Sequence, residues 1–531
     1  MWQQSISLRA FFFVSIFFFL TLGLVPKTAV AIPPTTDTHF GNIPFEQTAK
    51  IILENGVLGG DIALDGNTAV IPHNPVAYVF HYDGTTWSLQ DQLVAADGPS
   101  DDSFGNAVAI SNDTIIIGAR TSDVNGNENQ GAAYVFVRNG SGWSQQAKLV
   151  GNDSEAGDWF GQDVALEGDT AVVGAWSHSV NGNNAEGAAY VFVRNGTTWS
   201  QQAKLIANDG GFHDSLGETV DISGQRVIVG AAQATVDGHS RQGAVYIFVR
   251  NGSNWSQEDK LIAADGSPYK YFGESVAIYD NTALIGTSWE EVNGKPHGAA
   301  YIFERDGSNW SQQIKLKDNN STVGDGFGLS VDLGSDTAVV SSVGKNMNRG
   351  AVFVFTRQNN SWSQESILTA SDSTENGGFG ISVSLDGPNL LIFSYNIYDK
   401  SGALYVFRRL LPTYGLTLGP DAGRFTGAGY TLSHPVSLVN EGNVQDTYEL
   451  ALSDFSWPST VAEPTVMVNA GDTVHVIVAV QVPENAPPGQ SDSVTLTVTS
   501  QSDNSVTSSV VLTTEVIDLS FSVFAPLLFS N

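Results

Sequence analysis

Phe104-Gly-Asn-Ala-Val-Ala-Ile110 is a run of small and aliphatic residues, followed by Ser111-Asn-Asp113 and a second run, Thr114-Ile-Ile-Ile-Gly-Ala119. A polar stretch covers 120–130. Gly131-Ala-Ala-Tyr-Val-Phe-Val-Arg138 then leads through Asn139-Gly140 into Trp143-Ser-Gln-Gln-Ala-Lys-Leu-Val150. The apolar runs are four to eight residues long and bounded by turn residues, which predicts four strands. Asn-Gly tolerates positive φ at both positions and so joins the third and fourth strands as a hairpin. No helical periodicity interrupts the pattern.

The same unit recurs along the chain. Trp87, Trp143, Trp199, Trp255, Trp310 and Trp362 are spaced by 56, 56, 56, 55 and 52 residues. An aromatic-aliphatic-Phe triplet starts at Tyr78, Tyr134, Tyr190, Tyr246, Tyr301, Phe353 and Tyr405. A Phe/Leu-Gly pair recurs at Leu58-Gly59, Phe104-Gly105, Phe160-Gly161, Leu216-Gly217, Phe272-Gly273, Phe327-Gly328 and Phe379-Gly380. Four strands per roughly 50 residues, repeated in step, is the signature of propeller blades. The triplet occurs seven times, but a Trp strand follows it only six times. The missing strand stands at the front, where Phe45-Glu-Gln-Thr-Ala-Lys-Ile-Ile52 aligns with Trp143-Ser-Gln-Gln-Ala-Lys-Leu-Val150. The expectation is an all-β chain whose seven-bladed β-propeller is closed by this N-terminal strand, which removes a free sheet edge.

The Phe/Leu-Gly pair followed by Asp169-Thr-Ala-Val-Val-Gly-Ala175 resembles the FG-GAP repeat of the integrin alpha-subunit propeller. Secreted FG-GAP proteins carrying Gly-Ala-Ala-Tyr-Val-Phe and Trp-Ser-Gln-Gln-Ala-Lys-Leu repeats are closer still. The resemblance covers about residues 45–409. It implies a propeller used for binding or adhesion and leaves the ligand open. The Gly-Ala part is clear at Gly118-Ala119, Gly174-Ala175 and Gly230-Ala231, and decays to Gly286-Thr287, Ser341-Ser342 and Phe393-Ser394. Integrin-type repeats often carry an Asp-rich calcium loop between the first two strands. That place holds Ser111-Asn-Asp113, Glu167-Gly-Asp169 and Ser223-Gly-Gln225, turns too short to supply a cation with six to eight oxygens. The family's calcium sites are therefore not carried over, and no cofactor is expected.

Antiparallel order puts the tight 1–2 and 3–4 turns on one face of the propeller and the long 2–3 and blade-to-blade loops on the other. Binding residues favour loops on a rigid scaffold, so the long-loop face is the candidate surface. It is acidic. Asp97, Asp153, Asp209, Asp265, Asp318 and Asp372 open the blade-to-blade loops, and Asp102, Asp158, Asp214 and Asp325 stand two residues before the Phe/Leu-Gly pair. Lys270 and Gly377 break the second series. Such carboxylates either attract a cation or basic partner, or each caps its own turn. The Trp series is expected to pack between blades, and Arg138, Arg194, Arg250, Arg305, Arg357 and Arg408 to make edge or inter-blade contacts.

Tyr82-Asp-Gly-Thr-Thr-Trp87 and Asn195-Gly-Thr-Thr-Trp199 resemble the Asp-box turn of sialidases, a fold element that performs no chemistry. No nucleophile elbow, His-Glu-x-x-His or phosphate loop occurs. His178, His213, His239 and His297 fall in long loops without a regular place in the repeat, and are expected to be solvated. Asp is plentiful enough for a glycosidase pair, but no pair stands out.

The 531 residues correspond to two to four domains. With 24 Lys+Arg against 55 Asp+Glu the formal charge is −31, which excludes nucleic acid or anionic membrane as a partner held by a general field. Cysteine is absent, and with it disulfides, thiolate nucleophiles and Cys-ligated metals. Arg9, an apolar run over 10–25 and Ala29-Val30-Ala31 read as a signal peptide, residues 1–31, ahead of a linker, 32–44; the run is short for a membrane anchor. No later stretch is long and apolar enough to span a bilayer. Leu411-Pro412 ends the propeller (45–411). Residues 413–517 alternate in β fashion and, through Val439-Asn-Glu-Gly-Asn-Val-Gln-Asp-Thr-Tyr448, resemble the Ig-like modules appended to bacterial surface proteins and alpha-galactosidases. An Ig-like β-sandwich used as spacer or accessory binder is expected. The tail, 518–531, is a sorting tag or a final strand. The expected protein is a secreted or cell-surface monomer, not an enzyme, that engages an extracellular protein or polysaccharide. The alternative is a carbohydrate-active enzyme or lectin working at the channel mouth.

Overall fold

The computed structural model describes residues 29–31, 45–53, 60–97, 103–289, 291–292, 295–358, 361–396, 402–409, 413–419 and 423–518. Most of the expected signal peptide, the expected 32–44 linker, Leu58-Gly59, Asp102, Leu411-Pro412 and the tail beyond Asp518 lie outside the described residues. The chain is all-β, and the described residues fall into two compact units, within Glu46–Arg408 and within Arg409–Asn531.

The first unit is built of four-stranded antiparallel sheets, one per repeat, in the arrangement of a β-propeller. In the repeat quoted first the strands are Phe104–Ser111, Thr114–Ala119, Ala132–Asn139 and Gly142–Leu149, within a residue or two of the predicted bounds. They hydrogen-bond in sequence order. Seven sheets share this plan among the described residues. In one of them the strands Phe379–Asp386, Asn389–Tyr395 and Gly402–Arg409 receive Phe45–Leu53 as their outer strand. That strand performs the side-chain duties of its counterparts. Gln47 accepts the Ser371 N–H, just past the outer strand of the preceding sheet, as Gln145, Gln201, Gln257 and Gln312 accept the N–H groups of Ala96, Asn152, Asn208 and Ala264 across their own seams. Ala29–Ala31 pairs along its outer edge, opposite Ala49–Ile51.

The sheets meet face to face. One apolar cluster joins Ile51, Leu53, Leu391, Phe393, Leu404 and Val406 to Ile62, Leu64, Ile71, Tyr78, Phe80 and Trp87 of the following sheet. Equivalent clusters lie between five other neighbouring pairs. The Trp residues fill the outer part of these seams. Trp143, Trp199 and Trp255 donate from Nε1 to Gln90, Gln146 and Gln202 of the preceding sheet at 2.9–3.0 Å. Arg138 lies 4.5 Å from the Trp143 ring and reaches back to Thr68.

Glycine marks where backbones approach most closely. Gly131, at the start of a third strand, has φ +86° and bridges Phe160 of the next sheet; a Cβ there would stand 2.0 Å from the Phe160 carbonyl oxygen. Gly161 has φ +91°, and its Cβ would meet the Ala132 carbonyl at 2.3 Å. The Phe-Gly pair is thus a seam device, its ring filling the apolar cluster and its glycine admitting the neighbouring strand.

The first strands are lashed across every seam by side chains that accept backbone N–H groups. Asp163 takes Val220 (2.7 Å), Asp221 takes Ile278 (2.8 Å), Ser275 takes Val331 (3.0 Å) and Asp332 takes Leu385 (2.6 Å). Ser382, Ser384 and Asp386 then take Ile62, Leu64 and Gly66 at 3.1, 3.1 and 2.6 Å, and Asp65 and Ser111 continue to Asn112 and Gly168.

The second unit has two sheets. One comprises Leu416–Leu418, Thr431–Asn440, Thr473–Gln481 and Ser459–Val461; the other comprises Arg424–Thr426, Thr507–Val516, Ser491–Ser500, Asp446–Ser453 and Thr465–Val468. Their alternating apolar residues, including Leu438, Val478, Tyr448, Leu496, Val498 and Leu512, form a single core. No helix among the described residues is long and apolar enough to cross a membrane.

Candidate functional site

Long loops gather on one face of the propeller. They are the 2–3 loops, such as 120–131, 176–187 and 232–243, and the blade-to-blade segments, such as 150–163, 206–218 and 262–274. Three of the 2–3 loops end in tight hairpins, Val124-Asn125-Gly126-Asn127, Val180-Asn181-Gly182-Asn183 and Val236-Asp237-Gly238-His239. Their central residues have φ of about 50° and 80–89°, the geometry that Asn-Gly and Asp-Gly supply.

The two kinds of loop are stitched to each other. Trp159 and Phe160 donate to the carbonyls of Asn129 and Gln130; His213, Ser215 and Leu216 to Asn184, Ala185 and Glu186; Tyr269, Tyr271 and Phe272 to Ser240, Arg241 and Gln242. Asn376, Gly378 and Phe379 repeat the pattern on Met347, Asn348 and Arg349. In these four blades the blade-to-blade segment therefore extends the preceding 2–3 loop and forms a bonded rim, whereas the first blade departs from the expected long 2–3 loop, its connection being only Asn74-Pro75.

The carboxylates expected on this face divide into two groups. Asp97 accepts Lys148 Nζ (2.6 Å) and Tyr134 Oη (3.1 Å). Asp153 accepts Lys204 and Tyr190 at 2.8 and 2.9 Å, and Asp209 accepts Lys260 and Tyr246 at 2.6 and 3.1 Å. Asp265 accepts Lys315 (2.6 Å), Tyr301 (3.0 Å) and Lys270 (2.7 Å), while Asp372 accepts Tyr405 (2.8 Å) and Lys50. The tyrosine is the first residue of the third-strand triplet and the lysine is that of Gln-Gln-Ala-Lys, so one Asp–Tyr–Lys brace recurs by repeat. Burial works to raise these carboxyls, but the lysine and tyrosine bonds outweigh it and hold them below the ordinary carboxylate range. Asp318 departs from the plan. Its repeat has Phe353 and Ile367 in the Tyr and Lys places, and its carboxylate is buried against Lys345 from the adjacent 2–3 loop.

The second group caps turns. Asp158 accepts the Glu155 N–H (2.6 Å), Asp214 that of Gly211 (2.8 Å) and Asp325 that of Thr322 (2.7 Å). All three are buried. Lys270, in the corresponding place, is buried and turned onto Asp265.

Asp158 also meets His178, expected in solvent but buried here. Its Nδ1 lies 2.7 Å from Asp158, and its Nε2 lies 2.8 Å from Lys204 Nζ. An ammonium group only donates, so Nε2 is the acceptor and Nδ1 carries the proton shared with Asp158. His178 thereby joins the Asp153 brace to the Asp158 cap. Among the described residues, no group of three or more His, Asp or Glu side chains could hold a metal ion.

Sequence reasoning passed over the aromatic residues of this face. Trp159 meets Trp176 edge-on at 5.3 Å, Tyr271 meets Trp289 at 6.3 Å, and Phe212 meets His213 at 4.0 Å. Phe212 and Tyr269 are 65% and 55% exposed. They stand outside the strand markers on which the repeat was aligned. Their one signal is position, within four residues before the Phe/Leu-Gly pair.

A family model described as FG-GAP repeat matches six segments, 87–136, 143–192, 199–248, 255–303, 310–355 and 362–407. Among solved structures, the tricorn protease aligns with a TM-score of 0.33 and 10% identity, over 85% of this chain and 44% of the protease, so the chain spans less than half of its length. TolB from Acinetobacter baumannii aligns with a TM-score of 0.29 and 9% identity, over 66% of this chain and 80% of TolB. No curated protein matches.

Proposed function

The chain belongs to the FG-GAP repeat family, and from that premise we propose that it is an exported or cell-surface protein whose propeller binds an extracellular protein or surface polymer without transforming it. We read the propeller as seven-bladed. Support comes from seven sheets on one plan, from lashes over every seam, and from the Phe45–Leu53 strand that replaces a seventh Trp strand. Residues 45–80, which the family model leaves unmatched, have the same layout as the six matched segments but begin on Phe45 instead of Trp. We read the second unit, with its two sheets over one core, as an Ig-like spacer or accessory binder. Export rests on the apolar run at 10–25 and on Ala29-Val30-Ala31; cleavage after Ala31 would leave Phe45–Leu53 as the outer strand.

One observation carries the binding reading: the stitched rim. Loops this long on an ordinary surface would be mobile. Here they are bonded blade to blade, so a ligand would not have to order them, and that ordering cost is one of the main charges against affinity. Hydrogen exchange of the full chain, with and without a ligand taken from a panel of extracellular polymers and proteins, tests this. Protection should fall on 120–131, 151–160, 176–187, 207–216, 232–243 and 262–272. Protection confined to the short turns at 111–114, 139–142, 167–170 and 195–198 would refute it. Turnover of a glycan, abolished by a single carboxylate substitution, would replace binding with the carbohydrate-active alternative.

A further inference from the structure

We propose that aromatic side chains on three successive blades of the long-loop face form a stacking surface for a neutral polysaccharide. This rests on the binding reading above and specifies its ligand.

Two positions before the Phe/Leu-Gly pair are left-handed in blade after blade. One residue before the pair, φ is 56° at Ser103, 58° at Trp159, 61° at Ser215, 56° at Tyr271, 62° at Gly326 and 61° at Gly378. Three residues before it, φ is 82° at Gly157, 61° at His213, 63° at Tyr269, 86° at Gly324 and 62° at Asn376. The repeat itself demonstrates what the fold requires: one copy has glycine at both places, Gly324 and Gly326. A left-handed backbone costs a non-glycine residue roughly 1–2 kcal/mol, and for bulky side chains it is an outlier. Trp159, His213, Tyr269 and Tyr271 accept that strain where glycine would avoid it, as do Ser103, Ser215 and Asn376, which bring no aromatic ring. Strain kept in this way collects at ligand-holding sites.

The rings lie on three successive blade-to-blade segments, within four residues before the Phe/Leu-Gly pair: Trp159 against Trp176 of a 2–3 loop, Phe212 against His213, and Tyr271 against Trp289 of a 2–3 loop, with Tyr269 exposed beside it in sequence. Arg120 lies 5.4 Å from the Trp159 ring, and Arg241 donates to the Tyr271 hydroxyl at 3.2 Å, so both rings are held in place. An aromatic face binds the C–H face of a sugar ring, while neighbouring amides bind hydroxyls.

Charge narrows the ligand. A net charge of −31 repels an anionic polymer. A cationic one would need carboxylates, yet Asp153, Asp209 and Asp265 beside these rings are already bonded to lysine and tyrosine. What the surface offers is rings together with the amides of loop residues such as Asn181 and Asn184. A repeated station on consecutive blades suits a ligand that itself repeats.

Affinity electrophoresis and tryptophan-fluorescence titration of the full chain supply the test. The probes are neutral polysaccharides (β-glucan, α-glucan, galactomannan, xylan), chitosan, alginate and polylysine. At least one neutral polysaccharide should retard the chain. Phe212→Ala with Tyr269→Gly should weaken that affinity about tenfold or more. Trp159→Gly and Tyr271→Gly should do the same with an unchanged or higher melting temperature, because glycine relieves the backbone. Several degrees lost in the glycine variants with retardation unchanged would make the rings packing elements and overturn the proposal. Phe212→Ala keeps the test decisive if a Trp159 variant fails to fold. Binding of chitosan or polylysine alone, or of no neutral polysaccharide, would also overturn it. The broader reading would then stand or fall separately, on whether exchange protection by any bound partner maps to the rim.

Discussion

Replacing Asp221 and Asp332 by serine should remove most of the pH dependence of propeller stability between pH 8 and pH 5. Burial pushes Asp221 up to about 7, with Asp332 adding repulsion, and pushes Asp332 up to about 6. Both values lie above the ordinary 3.8, so the folded chain binds more protons than the unfolded chain between 3.8 and the raised value. Stability must therefore rise as pH falls through that window, and the burial cost is fully present above pH 7. At 1.36 kcal/mol per pH unit, the shifts are worth about 4 and about 3 kcal/mol as upper bounds. Down to pH 5 about two pH units of the first shift and about one of the second are traversed, roughly 4 kcal/mol in all; at roughly 1–2 °C per kcal/mol for a propeller of this size, the melting temperature should rise by about 4–8 °C between pH 8 and pH 5. Serine is the apt replacement because the repeat already uses it: Ser384, in the place of Asp221 and Asp332, accepts the Leu64 N–H at 3.1 Å. The braced carboxylates Asp97, Asp153, Asp209 and Asp372 are silent in this window. Their folded values are depressed, so their contribution is lost only as pH falls below about 3.8. Calorimetry of wild type and the Asp221→Ser/Asp332→Ser variant at six pH values gives the two slopes. Equal slopes between pH 8 and pH 5 would refute the assignment, whatever the absolute melting temperatures.

Three further outcomes follow from the seams and braces. Tyr246→Phe with Lys260→Ile, which copies the Phe353 and Ile367 repeat without its Lys345, should cost only about 1 kcal/mol, because the Asp209 carboxylate is half exposed and water replaces its partners; denaturant titration should show Asp209→Asn recovering part of it. Gly131→Ala should cost more than about 3 kcal/mol, since its Cβ would stand 2.0 Å from the Phe160 carbonyl oxygen with φ at +86°; an urea midpoint near wild type would contradict the seam geometry. Deleting residues 45–53 should leave Gly402–Arg409 as a bare edge and Leu404 and Val406 without cover, with aggregation detectable by light scattering at concentrations where the full chain stays monodisperse.

The sheet plan was legible because its markers are local and repeated. Trp143, the Tyr134 triplet and Phe104-Gly105 each fix a strand, and copies of all three kept the alignment in phase over 350 residues. The N-terminal strand was legible for the same reason: Gln47 and Lys50 sit where Gln145 and Lys148 do. The roles of the acids were not. Asp153 and Asp158 look alike in one loop, yet Asp153 serves a lysine 51 residues away while Asp158 caps a turn and holds a histidine. A partner that distant is invisible to local reasoning. A signal did exist in the periodic lysines at 148, 204, 260 and 315, whose spacing matches that of the Asp series. The lashing residues Asp163, Asp221 and Asp332 carry no signal in the sequence, because a carboxylate in a buried strand has no meaning until the neighbouring first strand supplies its N–H.

A chain with near-copies of one unit contains its own controls, and these separate fold from function more sharply than burial does. Where the repeat around Asp318 gives up tyrosine and lysine, a third residue changes with them: Lys345 enters from the 2–3 loop and the carboxylate is satisfied again. That is how a structural position behaves, since an orphaned buried carboxylate would cost several kcal/mol. The aromatic station behaves otherwise. Gly324 and Gly326 replace its side chains without any compensating ring in that copy, so nothing in the framework depended on them. Trp159, Tyr269 and Tyr271 instead hold strained backbone on neighbouring blades, and beside them Phe212 exposes two-thirds of its surface. Positions that vary with compensation maintain the seams; positions that vary without it, and at a cost in strain, are where we propose that this propeller meets its ligand.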